Sequence, residues 1–427
     1  MFPAGVFLHV GPRNLPPVLA LSLYAAANVV VISFVPSVLF AGDHARTAAP
    51  ARVHRLPAPW LLAAWRSDAV RVAGGAIGVA GLTAAVTVGG GRLVWSGLWI
   101  GLALTCALVG GLWKLVDPWA ALYDLAIGRR VRRPALALPA WLGAWPATAV
   151  SAAFVLASLA PTSHAPWLAA ALAAGYTAVT LAGMALFGRD AWLSRCEGFG
   201  ALLDMAGRFG PVAAERDADG RPARVWLRPW GVGLLDGREA GWDRVVLLVV
   251  VLSGLAFDGV LATDGWRGLA AAAAPGLAPL GAAAGPALRM AGLLLIAGAF
   301  LLVLALVSRL TLVAAGARAG DPAPVATLAR TLLPIGLLYA AALLSASLLP
   351  RPQPGPVLTG TAATWFLEVT LVVIGHAIAV HLAHRSAGQR FRGARRAALS
   401  QYPVLVLLVT YTMTSLWILA QPVVALT

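Results

Sequence analysis

The run Ala287-Leu-Arg-Met-Ala-Gly-Leu-Leu-Leu-Ile-Ala-Gly-Ala-Phe-Leu-Leu-Val-Leu-Ala-Leu-Val-Ser-Arg-Leu-Thr-Leu-Val-Ala-Ala315 decides the fold. No charged residue interrupts it between Arg289 and Arg309. A helix of that interval rises about 30 Å, the hydrocarbon thickness of a bilayer. Comparable apolar runs fall near residues 16–41, 68–89, 93–115, 136–160, 166–188, 243–262, 326–349, 362–384 and 401–424. Together they predict about ten spans.

The whole chain agrees with that reading. Its 427 residues are 60% hydrophobic and 11% charged, with a mean hydropathy of +0.81, where a soluble domain carries about 25% charge. A disordered, fibrous or disulfide-stapled protein is excluded. The 45 glycines and 29 prolines follow no collagen period and suit membrane helices. The expected fold is all-α, a polytopic transmembrane bundle. Residues 1–188 hold helices one to five, 189–242 form a polar loop, and 243–427 hold helices six to ten. Residues 268–286 are apolar too, but Pro275, Pro279 and Pro286 mark them as a re-entrant or surface segment.

Charge gives the orientation. The net charge is +15, and Lys114 is the one lysine among the basic residues. They sit between apolar runs, not along one polar face, so the charge encodes topology and not nucleic-acid binding. Arg46, Arg52, Arg55 and Arg66 follow the first span, and Arg129, Arg130, Arg132 and Arg133 the third. The fifth is followed by eight arginines from Arg189 to Arg238, the ninth by Arg385, Arg390, Arg392, Arg395 and Arg396. The intervening loops carry only Arg92, His164, Arg267 and Arg351. Both termini are therefore expected on the outer side. Arg13 alone precedes the first span, and the run from Pro17 to Ala41 exceeds a signal h-region, so the first helix is expected to stay as an anchor.

Within the polar loop, Glu197 to Pro211 has apolar residues at helical spacing, an amphipathic helix suited to the inner leaflet. Ala214 to Pro222 reads as a charged mobile turn, and Trp226, Trp230 and Trp242 as interface anchors. Cys106 and Cys196 form no disulfide framework and no CxxC metal site.

Ionisable groups inside a bilayer cost roughly 2.5–3.5 kcal/mol on insertion scales, so each is a candidate site with a structural rival. Asp258, near the outer end of the sixth span, and Glu368 in the ninth share a depth, and Arg289 is positioned to neutralise one of them. Their rival reading is an ion pair or a carboxylate reaching the outer interface. Asn28, Tyr339 and the Gln401-Tyr402-Pro403 turn add polar or kinked positions. Arg309 and Arg330 suit headgroup anchoring.

The ninth span carries His376-Ala-Ile-Ala-Val-His-Leu-Ala-His384. At 100° per residue His376 and His384 share a broad face, while His381 points about 140° away from His376. The first pair is a candidate metal site; hydrogen-bonded packing is its rival. No GxSxG elbow, HExxH pair or P-loop occurs, and no cofactor is signalled.

Several segments together resemble a family of largely uncharacterised bacterial polytopic membrane proteins, some described as fenitrothion hydrolase membrane components. They are Leu112-Trp-Lys-Leu-Val-Asp-Pro-Trp119, Phe187-Gly-Arg-Asp-Ala-Trp192, Cys196-Glu-Gly-Phe199, Arg228-Pro-Trp-Gly-Val-Gly-Leu-Leu235, Phe257-Asp-Gly259, Gly375-His376 through Ala383-His384, and Ser400-Gln-Tyr-Pro403. The resemblance implies a multi-pass protein of the bacterial inner membrane, with Asp117, Trp119, Glu197, Arg228 and Tyr402 at the inner face. The family often has Asn at the position of Asp117, and histidines in the eighth helix where Arg330 and Leu343 stand here.

Two functions follow as expectations. One is a transport or scaffold subunit, with the bilayer and a protein of a membrane complex as partners. The other, which the resemblance implies, is a hydrolase component acting on hydrophobic organophosphate esters. That chemistry needs an activated water, most simply on a metal held by His376, His384 and a carboxylate such as Asp117 or Glu197.

Overall fold

The computed structural model describes residues 67–87, 99–126, 134–158, 166–216, 222–236, 241–261, 263–317, 324–348 and 358–420, together with 28, 54–55, 59 and 62–63. Among them, seven helices are long and apolar enough to cross a membrane: Ala140–Ser158, Trp167–Phe187, Trp242–Leu261, Asp264–Ala314, Val325–Ser345, Phe366–Arg390 and Ala394–Leu416. Val72–Thr87 and Trp99–Val109 are shorter apolar helices. Every expected span except the first thus holds an apolar helix. That first run lies outside the described residues apart from Asn28, which is helical and exposed. The protein is a helical, multi-pass membrane protein by length and composition. Leu295, Leu302 and Val313 are 73%, 70% and 75% exposed, a greasy surface that suits lipid and not water.

The chain divides into two compact units, residues 51–247 and residues 1–50 with 248–427, so the boundary falls inside one helix. The unit of residues 51–247 contains α1 (Asp68–Thr87), α2 (Leu102–Val109), α3 (Trp113–Val116), α4 (Pro118–Ala126), α5 (Trp145–Ser158), α6 (Pro166–Phe187), α7 (Arg189–Arg195) and α8 (Gly198–Phe209). It also contains β1 (His54–Arg55), β2 (Val212–Arg216) and β3 (Pro222–Leu227), and it ends in the first residues of α9 (Trp242–Leu261).

Helix α8 is the amphipathic segment expected on the leaflet. Its apolar face is covered by protein instead. Phe199, Leu203, Met205, Ala206 and Phe209 are buried, and α8 packs on α2 and α5. Periodicity reveals an apolar face without naming what covers it, and the glycines decide. A Cβ on Gly210 would stand 2.6 Å from the Gly110 nitrogen, and one on Gly110, at φ +133°, would stand 2.2 Å from the Val212 carbonyl oxygen. Backbones approach here because no side chain intervenes.

Residues 214–216 and Pro222, the two edges of the expected turn, belong to a three-stranded antiparallel sheet, order β1-β3-β2, with His54 opposite Leu227 and Arg55 opposite Trp226, while residues 217–221 of that turn lie outside the described residues. Strand β1 follows the first apolar run, whereas β2 and β3 follow the fifth. Hydrogen-bonded strands must lie on one side of a membrane, so these arginine-rich loops share a face. Lys114, at the end of the third run, pairs with Asp204 at 2.9 Å, and Arg189 pairs with Asp124 at 2.9 Å.

The second unit contains the rest of α9, α10 (Asp264–Leu277), α11 (Ala284–Ala314), α12 (Val325–Thr331), α13 (Leu333–Leu348), α14 (Leu358–Arg390), α15 (Ala394–Leu399) and α16 (Tyr402–Ala420). The proline-rich stretch after Gly268 is helical, passing through a 3-10 turn at Ala278–Ala283 into α11, with Gly281 as its non-helical bend. Helices α13 and α14 pack tightly, with Gly375 against the backbone of Pro334 and Ile335. Tyr339, Leu343, Val369, Val372 and Leu416 form their apolar core.

Candidate functional site

Four of the five residues expected at the inner face converge around α8, all within the first unit. Asp117 ends α3, and its Oδ1 accepts from the backbone N–H of Trp119 at 3.0 Å and Ala120 at 3.1 Å, capping α4. Glu197 caps α8, accepting from the N–H of Phe199 at 2.9 Å and from that of Gly200. A buried helix start must find such acceptors, because its first N–H groups have no partner within the helix. Tyr176 of α6 also donates its hydroxyl to Glu197. At the other end of α8, Arg228 donates to the carbonyls of Arg208 at 2.9 Å and Gly210 at 3.2 Å. Acceptors at the start and a cation at the end both match the helix dipole.

Aromatic rings enclose the two carboxyls. Phe199 lies 5.1 Å from Trp99, 5.3 Å from Tyr176, 5.4 Å from Phe154 and 5.5 Å from Trp119, centroid to centroid. Trp119 donates its indole N–H to Thr177 at 3.0 Å, while the buried Trp113 indole nitrogen has no partner among the described residues. Burial pushes the Asp117 carboxyl up to about 6, against the pull of the Ala120 N–H, the Arg189 charge and the Trp119 N–H. Glu197 is held well above the usual carboxylate range, first by burial and then by the Asp117 charge, against the N–H groups of Gly200 and Phe199. Such a pair keeps a proton that either group would release in water.

Tyr402 belongs to the other unit. It opens α16 and is half exposed. The thiol of Cys196 is raised to about 11 by burial, so it is a poor nucleophile.

The membrane-embedded candidates gather along α14. Glu368 is 3% exposed and His376 is fully buried. Tyr339 of α13 lies within electrostatic reach of Asp258, Tyr411 and Glu368. The shared depth read from sequence for Asp258 and Glu368 thus has a common neighbour. His376 donates Nδ1–H to the Val372 carbonyl at 2.8 Å. A carbonyl only accepts, so in the neutral ring Nε2 carries the bare lone pair. That atom has no partner among the described residues, and the ring stands 5.7 Å from Tyr411.

His381 is exposed, as its helical angle requires. His384 reaches Gln401 Oε1 through Nδ1 at 2.9 Å, tying the end of α14 to the start of α16. Arg289 is half-buried and forms no ion pair with Asp258 or Glu368 among the described residues; its NH1 lacks a hydrogen-bond partner there. Among the described residues, no three His, Cys, Asp or Glu side chains come close enough to share a metal ion.

Tyr176, Tyr411 and Asp243 carry no role in the sequence reading. Asp243 accepts the Ala144 N–H at 2.6 Å and so caps α5. Its position at the head of an apolar run was the visible signal; the tyrosines gave none, because their span looks uniformly apolar. The chain matches no protein-family model, no curated protein and no solved structure.

Proposed function

We propose that the protein is a transport subunit of a membrane complex, conducting protons or small cations past α14. The observation that carries this reading is Glu368, a nearly inaccessible carboxyl on a spanning helix, with Tyr339 within electrostatic reach of both it and Asp258. His376 follows eight residues on along α14, about 12 Å along the axis. A bilayer tolerates such groups where they carry ions or protons. Proteoliposomes containing the full chain and a trapped pH-sensitive dye test it. Flux in the wild type that is lost in Glu368→Gln, with the variant still monodisperse, supports transport. Equal flux in both, or none in either, returns the chain to a scaffold role.

A second reading, a hydrolase component for hydrophobic organophosphate esters, draws on the resemblance and on the unpartnered Nε2 of His376. The neighbouring residues do not fit a metal, since no set of three ligands gathers among the described residues. Stoichiometric zinc, iron or copper in purified protein, lost in His376→Ala, would favour this reading.

A further inference from the structure

Four helix ends of the second unit meet around a small cavity with a mostly apolar wall: the end of α11, the start of α12, the end of α14 and the start of α16. Its volume is about 30 Å³, and its polar lining is Thr311, Thr331, Ser386, Arg390, Ser400 and Gln401. No carboxylate lines it among the described residues.

The lining divides by what each group has left to offer. Thr331 donates to the Leu328 carbonyl and Ser400 to that of Ala397, both at 2.7 Å, so their hydroxyl protons are committed. Gln401 spends one N–H on Ala397 and its Oε1 on His384, which leaves a second N–H. The Thr311 hydroxyl is different. The residue is 6% exposed, and its oxygen has no partner among the described residues. A buried hydroxyl without a partner is costly, and an incoming acceptor would recover that cost. With Arg390 at the rim, the cavity presents donors and positive charge.

Depth supplies the ligand class. All four helix ends terminate apolar runs long enough to cross a membrane, so the cavity lies where phosphates of a bilayer reside. A water needs at least 10–15 Å³ of such space, so about two oxygen atoms fit. We propose that this cavity binds the phosphodiester of an anionic phospholipid, its two non-bridging oxygens inside and its glycerol outside. Thr311 and Gln401 donate from within, and Arg390 neutralises the charge at the rim.

Native mass spectrometry of the full chain, extracted into mild detergent and titrated with phosphatidylglycerol, tests this. One lipid should be retained per chain, with affinity falling about tenfold in Thr311→Val and in Arg390→Gln. Thr311→Ser, which keeps the hydroxyl, should bind like the wild type and shows that the loss is chemical and not a failure to fold. Unchanged retention in Thr311→Val and Arg390→Gln overturns the proposal, as does no retention by the wild type. Displacement of the lipid by millimolar inorganic phosphate overturns the lipid assignment and makes free phosphate the ligand.

Discussion

Tyr176 donates its hydroxyl to Glu197 Oε1, the same oxygen that takes the Phe199 amide at 2.9 Å. A residue of a membrane-spanning helix thereby holds the cap of the packed loop helix α8. The cap is a carboxyl that burial and the nearby Asp117 charge keep protonated to higher pH than usual.

This predicts a specific pH profile. A carboxyl whose folded pKa is raised contributes stability that is complete below its unfolded value and lost as pH rises through the folded one. For Asp117 the window runs from 3.8 to about 6, and for Glu197 it extends higher. The Tm of the detergent-solubilised protein should fall from pH 4 to pH 7. Glu197→Gln should flatten the upper part of that fall and match or exceed the wild type above pH 7. A variant melting much lower at every pH would mean that the capping geometry, not the proton, governs.

Gly110 should tolerate no side chain. Gly110→Ala meets both a positive φ and the Val212 carbonyl, and is expected to cost about 1–3 kcal/mol. Gly111→Ala points into open space and should be near neutral. Equal melting curves for the two variants would contradict the close approach of Gly110 to Val212.

Arg228 holds the C-terminal carbonyls of α8 with a single guanidinium. Arg228→Met should lower stability by about 2 kcal/mol, and Arg228→Lys should recover only part of it, because an ammonium cannot span two carbonyls in a plane. Denaturant titration in mixed micelles measures both.

Sidedness can be read with thiol labels, since the native Cys106 and Cys196 are buried. Arg224→Cys and Leu125→Cys should react with an impermeant maleimide from the same side, and Ser163→Cys from the other. Labelling of Arg224→Cys and Leu125→Cys from opposite faces would refute the topology.

The apolar runs and their alternation with arginine were legible because lipid imposes one rule on every turn of helix. Charge alone puts the two loops that share the sheet on one side. What escaped was everything set by contact between distant segments. Nothing local in Val212 to Leu227 announces a partner at His54, and the helical wheel of α8 cannot distinguish lipid from α2 and α5. The candidate carboxyls were visible as charges in greasy surroundings. Tyr176 beside Glu197 and Tyr411 beside His376 were not, because a tyrosine in an apolar run carries no charge to betray it.

The pairing of His54 with Leu227 also constrains biogenesis. At about 5–20 residues per second, the ribosome releases the first strand roughly ten to thirty seconds before its complement exists. Insertion of the intervening hydrophobic hairpins must therefore proceed with that edge unsatisfied, and the sheet closes only after the fifth apolar run has been made.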